Sequence, residues 1–160
     1  MKNIALTAID AGAALAASLP ASADTADTGA IRTVLSAYAT ALHAQDTDTI
    51  VALYADDGVF MPQHSLPQVG RDNIRAAYDG VFDAITLNIE FEFDEIVQLS
   101  ADWAFARTRS AGSVTINATG DTVPEANQEL FLLQRTDGRN WKIARYIFST
   151  TNPPRGQGLE

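Results

Sequence analysis

Leu87-Asn88-Ile89-Glu90-Phe91-Glu92-Phe93-Asp94 alternates strictly between apolar and polar side chains, as a half-buried strand with one dry and one wet face requires. Upstream the period is helical. Ile31, Val34, Leu35, Tyr38 and Leu42 share one face, which predicts a first helix capped by Thr28 and running to about Gln45. Asp46 and Thr47 interrupt it and open a short second helix with Ile50, Val51, Leu53 and Tyr54 apolar, stopped by Asp56-Asp57-Gly58. A brief strand, Val59 to Met61, meets Pro62. Gly70 then precedes a third amphipathic helix that buries Ile74, Ala77, Tyr78, Val81 and Phe82. Downstream of Asp94 the strand pattern continues through Trp103 to Val114, Glu129 to Arg135 and, after an Asp137-Gly138 turn, Trp141 to Thr150. Proline lacks a ladder donor, so Asn152-Pro153-Pro154 closes the domain. Three helices followed by long strands predict an α+β fold, a cone in which helices cover one face of a curved antiparallel sheet and one end stays open.

The 160 residues, 46% of them hydrophobic, suffice for one core and one domain. A formal charge of -9 repels nucleic acid and anionic membrane surfaces. Without cysteine there is no disulfide, thiolate metal site or cysteine nucleophile. Lys2, the Ala- and Leu-rich run from Ile4 to Leu19 and Ala21-Ser22-Ala23 read as an export signal over residues 1–23, with Asp10 as the one residue against it. Export predicts a periplasmic or secreted protein; a plain extension there predicts a cytoplasmic one. The folded domain is expected over residues 24–152, with a flexible tail over 153–160, and no later stretch is long and apolar enough to span a bilayer.

Ala37-Tyr38-Ala39-Thr40-Ala41-Leu42, Asp46-Thr47-Asp48 and Leu53-Tyr54-Ala55-Asp56-Asp57-Gly58-Val59-Phe60 together resemble the SnoaL-like and ketosteroid-isomerase-like superfamily. Gly70-Arg71-Asp72-Asn73-Ile74 and Asp137-Gly138-Arg139-Asn140-Trp141-Lys142-Ile143-Ala144 look like the same family's third-helix start and last-strand opening. The resemblance covers most of residues 30–150 and implies the cystatin-like cone of the nuclear transport factor two fold. Phe105 to Ser110 and Glu125 to Phe131 are similar to the SgcJ/EcaC subgroup. The scaffold hosts isomerases, dehydratases, cyclases, hydrolases and non-catalytic domains, so fold alone does not fix activity. In the isomerases a first-helix tyrosine stabilises an enolate and a first-strand aspartate moves the proton; Tyr38 falls at the tyrosine position, and Pro62 falls where the aspartate belongs.

His64, two residues past Pro62, would share its face if the strand continued and is the expected substitute base; the alternative is a loop histidine. His43 falls off the apolar stripe and is expected in solvent. Arg107 and Arg109 share a strand face with Trp103 and Phe105 and are expected on a pocket wall, binding a carboxylate ligand or bridging to Glu129; a solvent-open face or dimer contact is the alternative. Asn127 and Glu129, also two apart, can offer an amide and a carboxylate to one cavity, with Glu129 the second candidate base. Two histidines and no cysteine make no metal shell, and Gly70, Gly80 and Gly112 are too isolated for a phosphate loop, so no cofactor is expected. These residues predict a small-molecule pocket working by proton transfer on an apolar substrate, or a non-catalytic binding or assembly domain; an uncovered sheet face predicts a homodimer.

Overall fold

The structure, a computed structural model, describes residues 25–153; the expected export signal and the tail beyond Pro153 lie outside them. Helix α1 (Thr25–His43) starts ahead of the expected cap and buries Ile31, Leu35, Tyr38 and Leu42. It stops where Gln45 turns left-handed at φ 54°. Asp46 then caps α2 (Thr47–Leu53), its carboxylate accepting from the Thr49 backbone N–H at 3.0 Å. No turn follows. β1 (Tyr54–Met61) begins at once, so the Asp56-Asp57-Gly58 stretch expected to end the helix is strand.

After β2 (Gln68–Val69) and α3 (Arg71–Ala84) come the long strands β3 (Ile85–Gln98), β4 (Trp103–Ile116), β5 (Thr122–Thr136) and β6 (Asn140–Thr150). The order in the sheet is β2-β1-β6-β5-β4-β3. Two expectations are corrected here. β1 runs parallel to β6, so the sheet is mixed rather than all antiparallel, and with β2 and β3 as free edges it curves without closing into a barrel. β5 also starts seven residues before Glu129. Pro124 is tolerated in it because its carbonyl points away from β4, accepting from Asn152 at 3.1 Å, and its missing N–H faces the same side, where β6 has already ended.

The alternation of Leu87, Ile89, Phe91 and Phe93 turns those four residues toward the helices, with Ile89 fully in the core. A register shift between Phe93 and Glu95 rephases the strand, so Ile96 packs inward while Asp94 and Glu95 stay outside. On β4 the inward residues are small: Ala104 and Ala106 are completely buried, which lets the helices approach the sheet. Phe131, Leu133, Trp141, Ile143 and Tyr146 complete the core. At the base of the cone Asp27 accepts from Arg135 at 2.5 Å, Gln98 at 3.1 Å and Trp141 at 3.4 Å, tying α1 to β3, β5 and β6.

Candidate functional site

Along the inner face of β5 the residues run Glu125, Asn127, Glu129, Phe131, Leu133, polar toward the open end of the cone and apolar toward its base. Beside them on β4, Ser110 and Thr108 give way to Ala106 and Ala104 in the same direction. Glu125, Asn127 and Glu129 of this face line a cavity of about 210 Å³ whose other walls are aromatic and aliphatic, among them Tyr38, Phe60, Tyr78, Phe91, Tyr146 and Phe148. Pro62, Gln63, Val81, Ile85, Glu125 and Phe148, all only partly buried, mark its mouth.

Glu129 is 4% exposed and faces no arginine or lysine among the described residues: its oxygens accept from Thr108, directly opposite it, and from Ser110 Oγ at 2.6 Å. Burial pushes its carboxyl above the usual carboxylate range, and the two hydroxyl donors only partly oppose that. Asn127, 6% exposed, donates weakly from Nδ2 to Ser110 Oγ at 3.5 Å. Its Oδ1 is the one buried side-chain nitrogen or oxygen without a hydrogen-bond partner among the described residues.

Across the cavity the four tyrosines of the chain converge. Tyr38 and Tyr78 hydroxyls are 2.8 Å apart, Tyr54 and Tyr78 hydroxyls 3.1 Å, and Tyr146 packs edge-on to Tyr38 with ring centroids 5.5 Å apart. Burial raises all four hydroxyl pKa values well above the ordinary tyrosine value, and the nearby Glu129 charge adds to the rise at Tyr38 and Tyr146. These groups therefore keep their protons and act as donors. Either hydroxyl can donate in each of these pairs; where Tyr78 donates to Tyr38, the Tyr38 proton is left for the cavity.

Of the residues expected from sequence, the structure brings together Tyr38, Asn127 and Glu129 and separates the other three. His64 is corrected: β1 ends at Met61, and His64 sits exposed in a turn at φ 59°, outside the cavity, because Pro62 cannot continue the ladder. Pro62 does reach the cavity, where it supplies no carboxylate; those come from β5. Arg107 and Arg109 are corrected too. They project from the outer face and pair with acids of β3, Arg107 with Asp94 at 2.9 Å and Glu95 at 2.8 Å, Arg109 with Glu92, so neither bridges to Glu129. Trp103 and Phe105 misled the parity, since in-phase alanines, not aromatics, face the helices. Thr108, Ser110, Glu125, Tyr54 and Tyr146 were missed as site residues; the signal for the first three was that they keep the phase of Ala104, Ala106, Phe131 and Leu133. A larger open groove of about 620 Å³ lies along the outer face beside Arg107, Arg109, Leu130 and Ile147. No cluster of metal-ligating side chains occurs among the described residues, and no helix there is long and apolar enough to cross a membrane.

Residues 35–157 match the SnoaL-like domain, and the chain belongs to that family. It is similar to a ketosteroid isomerase-like protein from Erwinia carotovora atroseptica SCRI1043, with 38% identity and a TM-score of 0.79 over 81% of this chain and 100% of that one. A conserved protein from Planctomyces limnophilus DSM 3776 is 26% identical, with a TM-score of 0.70 over 79% of this chain and 99% of that one. A domain of unknown function with a cystatin-like fold from Nostoc punctiforme, 18% identical with a TM-score of 0.65 over 82% of this chain and 81% of that one, shares the fold. No curated protein matches the chain.

Proposed function

We propose that the cavity binds a small, largely apolar organic molecule and that Glu129 moves a proton on it, without a cofactor, as an isomerase, dehydratase or cyclase does. The observation that carries this is the buried Glu129 carboxyl, without a basic partner among the described residues, in an aromatic cavity that opens to solvent. A carboxyl with its pKa raised toward neutrality is better matched to general acid–base work than an exposed one. In the simplest step the carboxylate takes a proton from carbon next to a carbonyl, the electron pair moves onto the carbonyl oxygen, and the Tyr38 hydroxyl stabilises that oxygen by donating to it. Return of the proton from Glu129 to another carbon completes an isomerisation. The 38% identical ketosteroid isomerase-like protein supports the reaction type.

A second reading, a non-catalytic binding module of the same fold, is favoured by the placement of His64 outside the cavity. In either reading the chain pairs with a second copy across the outer sheet face, where Leu130 and Ile147 stay 37% and 44% exposed between Arg107 and the sheet rim. Residues 1–23 direct export, on the strength of Lys2, the apolar run and Ala21-Ser22-Ala23. The deciding experiment follows deuterium wash-in from D₂O into single-ring ketones by NMR, beside thermal shifts, for wild type and Glu129→Gln. Binding by both proteins with exchange only by wild type is the expected result. Binding without exchange by wild type leaves the non-catalytic module, and no binding by either removes the pocket reading.

A further inference from the structure

The orphaned acceptor in the cavity wall constrains the ligand. Asparagine oxygen and nitrogen are distinguished here by their neighbours: Ser110 commits its hydroxyl proton to Glu129 at 2.6 Å, so toward Asn127 its oxygen can only accept. Asn127 must therefore present Nδ2 to Ser110, and Oδ1 is the atom left over. A buried carbonyl oxygen without a donor costs about 1–3 kcal/mol, so such groups are ordinarily paired, and this one, itself closed off from solvent, belongs to a side chain that lines a cavity rather than packed core. Next to it along β5 stand Glu125 and Glu129, and the lining includes no lysine, arginine or histidine. The β5 wall thus offers acceptors and negative charge, while the donors, Tyr38 on the helical side and the Gln63 amide at the mouth, lie away from it.

We infer that the ligand carries a hydrogen-bond donor, a hydroxyl or N–H group, that pairs with Asn127 Oδ1, and that carboxylate-bearing ligands are excluded. The inference rests on the small-molecule reading of the cavity given above. A cavity of about 210 Å³ is below the usual range of drug-sized pockets, which begins at about 300 Å³, and above the roughly 150 Å³ that accepts benzene. The ligand is then a single ring, or a chain of similar bulk, with a hydroxyl or amino substituent on the β5 side and the carbonyl acted upon toward Tyr38. Asn127 is a positioning residue for such a ligand: it fixes which ring carbon lies beside Glu129.

The test uses four probes of one size, benzyl alcohol, benzyl methyl ether, ethylbenzene and benzoate, titrated against the whole chain with thermal shift and ligand-observed NMR. Benzyl alcohol is expected to bind wild type about tenfold more tightly than the ether or the hydrocarbon, the worth of one buried hydrogen bond, and benzoate more weakly than any of them. In Asn127→Leu the alcohol should lose that margin while ethylbenzene keeps its affinity. An alcohol no better than the ether on wild type, or benzoate binding best, overturns the donor inference and leaves the pocket standing, and that comparison needs no variant to fold. If none of the four binds, ethylbenzene included, both the inference and the small-molecule reading fall.

Discussion

Glu129 is the residue whose environment makes the sharpest demand. Burial raises its folded pKa above the unfolded value, so the folded state holds the proton more tightly. That group favours folding fully below the ordinary carboxylate range, and its contribution is lost as pH rises through the raised folded value. Glutamine keeps the shape and two hydrogen-bonding atoms for Thr108 and Ser110 without the charge. Glu129→Gln should accordingly melt a few degrees above wild type near pH 8, with the gap closing as the pH falls to about 4; a gap that stays constant across that range would count against a buried, unpaired carboxyl. The same charge was half legible in the sequence. Asn127 and Glu129 were readable as neighbours on one face, whereas the arginines beside aromatics and the histidine after Pro62 looked like site residues only because parity and strand length cannot be fixed from local pattern when Trp103 and Phe105 sit on the outer face.

At the scale of elements, the clean periodicities carried through: α3 buries Ile74 and Tyr78 as spaced, β3 keeps its alternation up to the bulge, and Asp46 caps α2. What stayed hidden was set by partners distant in sequence. The parallel pairing of β1 with β6 and the early start of β5 depend on where β6 ends, which no window of ten residues contains. Two elements also rely on single close approaches. Gly112 in β4 lies opposite Ile89 at φ 155°, and a Cβ there would come within 2.1 Å of the Asn88 carbonyl oxygen on β3. Gly112→Ala must push β3 outward, at a cost of about 2–3 kcal/mol, visible as a lower urea midpoint with an unchanged slope. Removing the α2 cap is milder: Asp46→Ala loses the carboxylate bonds to Thr49 N–H and Oγ1, worth about 1 kcal/mol. Exposed edge strand β3 is guarded by α1, whose His43, exposed as its place off the apolar stripe predicts, still reaches the Ile89 carbonyl with its ring and whose trailing Gln45 donates to Ile85 O at 3.4 Å.

Taken whole, the cone has two ends with opposite electrostatics, and acid should act on them in opposite senses. At the open end a carboxyl is buried without a cation among the described residues; at the base Asp27 is half-buried among donors, with Arg135 stacked 4.7 Å over Trp141 behind it. Burial alone would raise the Asp27 pKa, but hydrogen bonds from Arg135, Trp141 and Gln98 outweigh it and hold the carboxyl below the usual carboxylate range. A depressed folded pKa stabilises the fold above the unfolded value, about 3.9, and that contribution is lost as pH falls through the folded value. Asp27→Asn keeps the shape but removes the charge that Arg135 faces, and because this knot joins α1 to three strands the loss is global. The variant should be less stable than wild type at pH 7 by about 2 kcal/mol, and the two should converge below pH 3–4. Urea unfolding of wild type, Asp27→Asn and Glu129→Gln at pH 7.5 and again near pH 3.5 would therefore place the variants on opposite sides of wild type at the higher pH and draw both toward it at the lower. Parallel shifts of the two variants would mean that the base and the mouth of the cone are not electrostatically distinct, and that the unpaired charge at Glu129 has a partner after all.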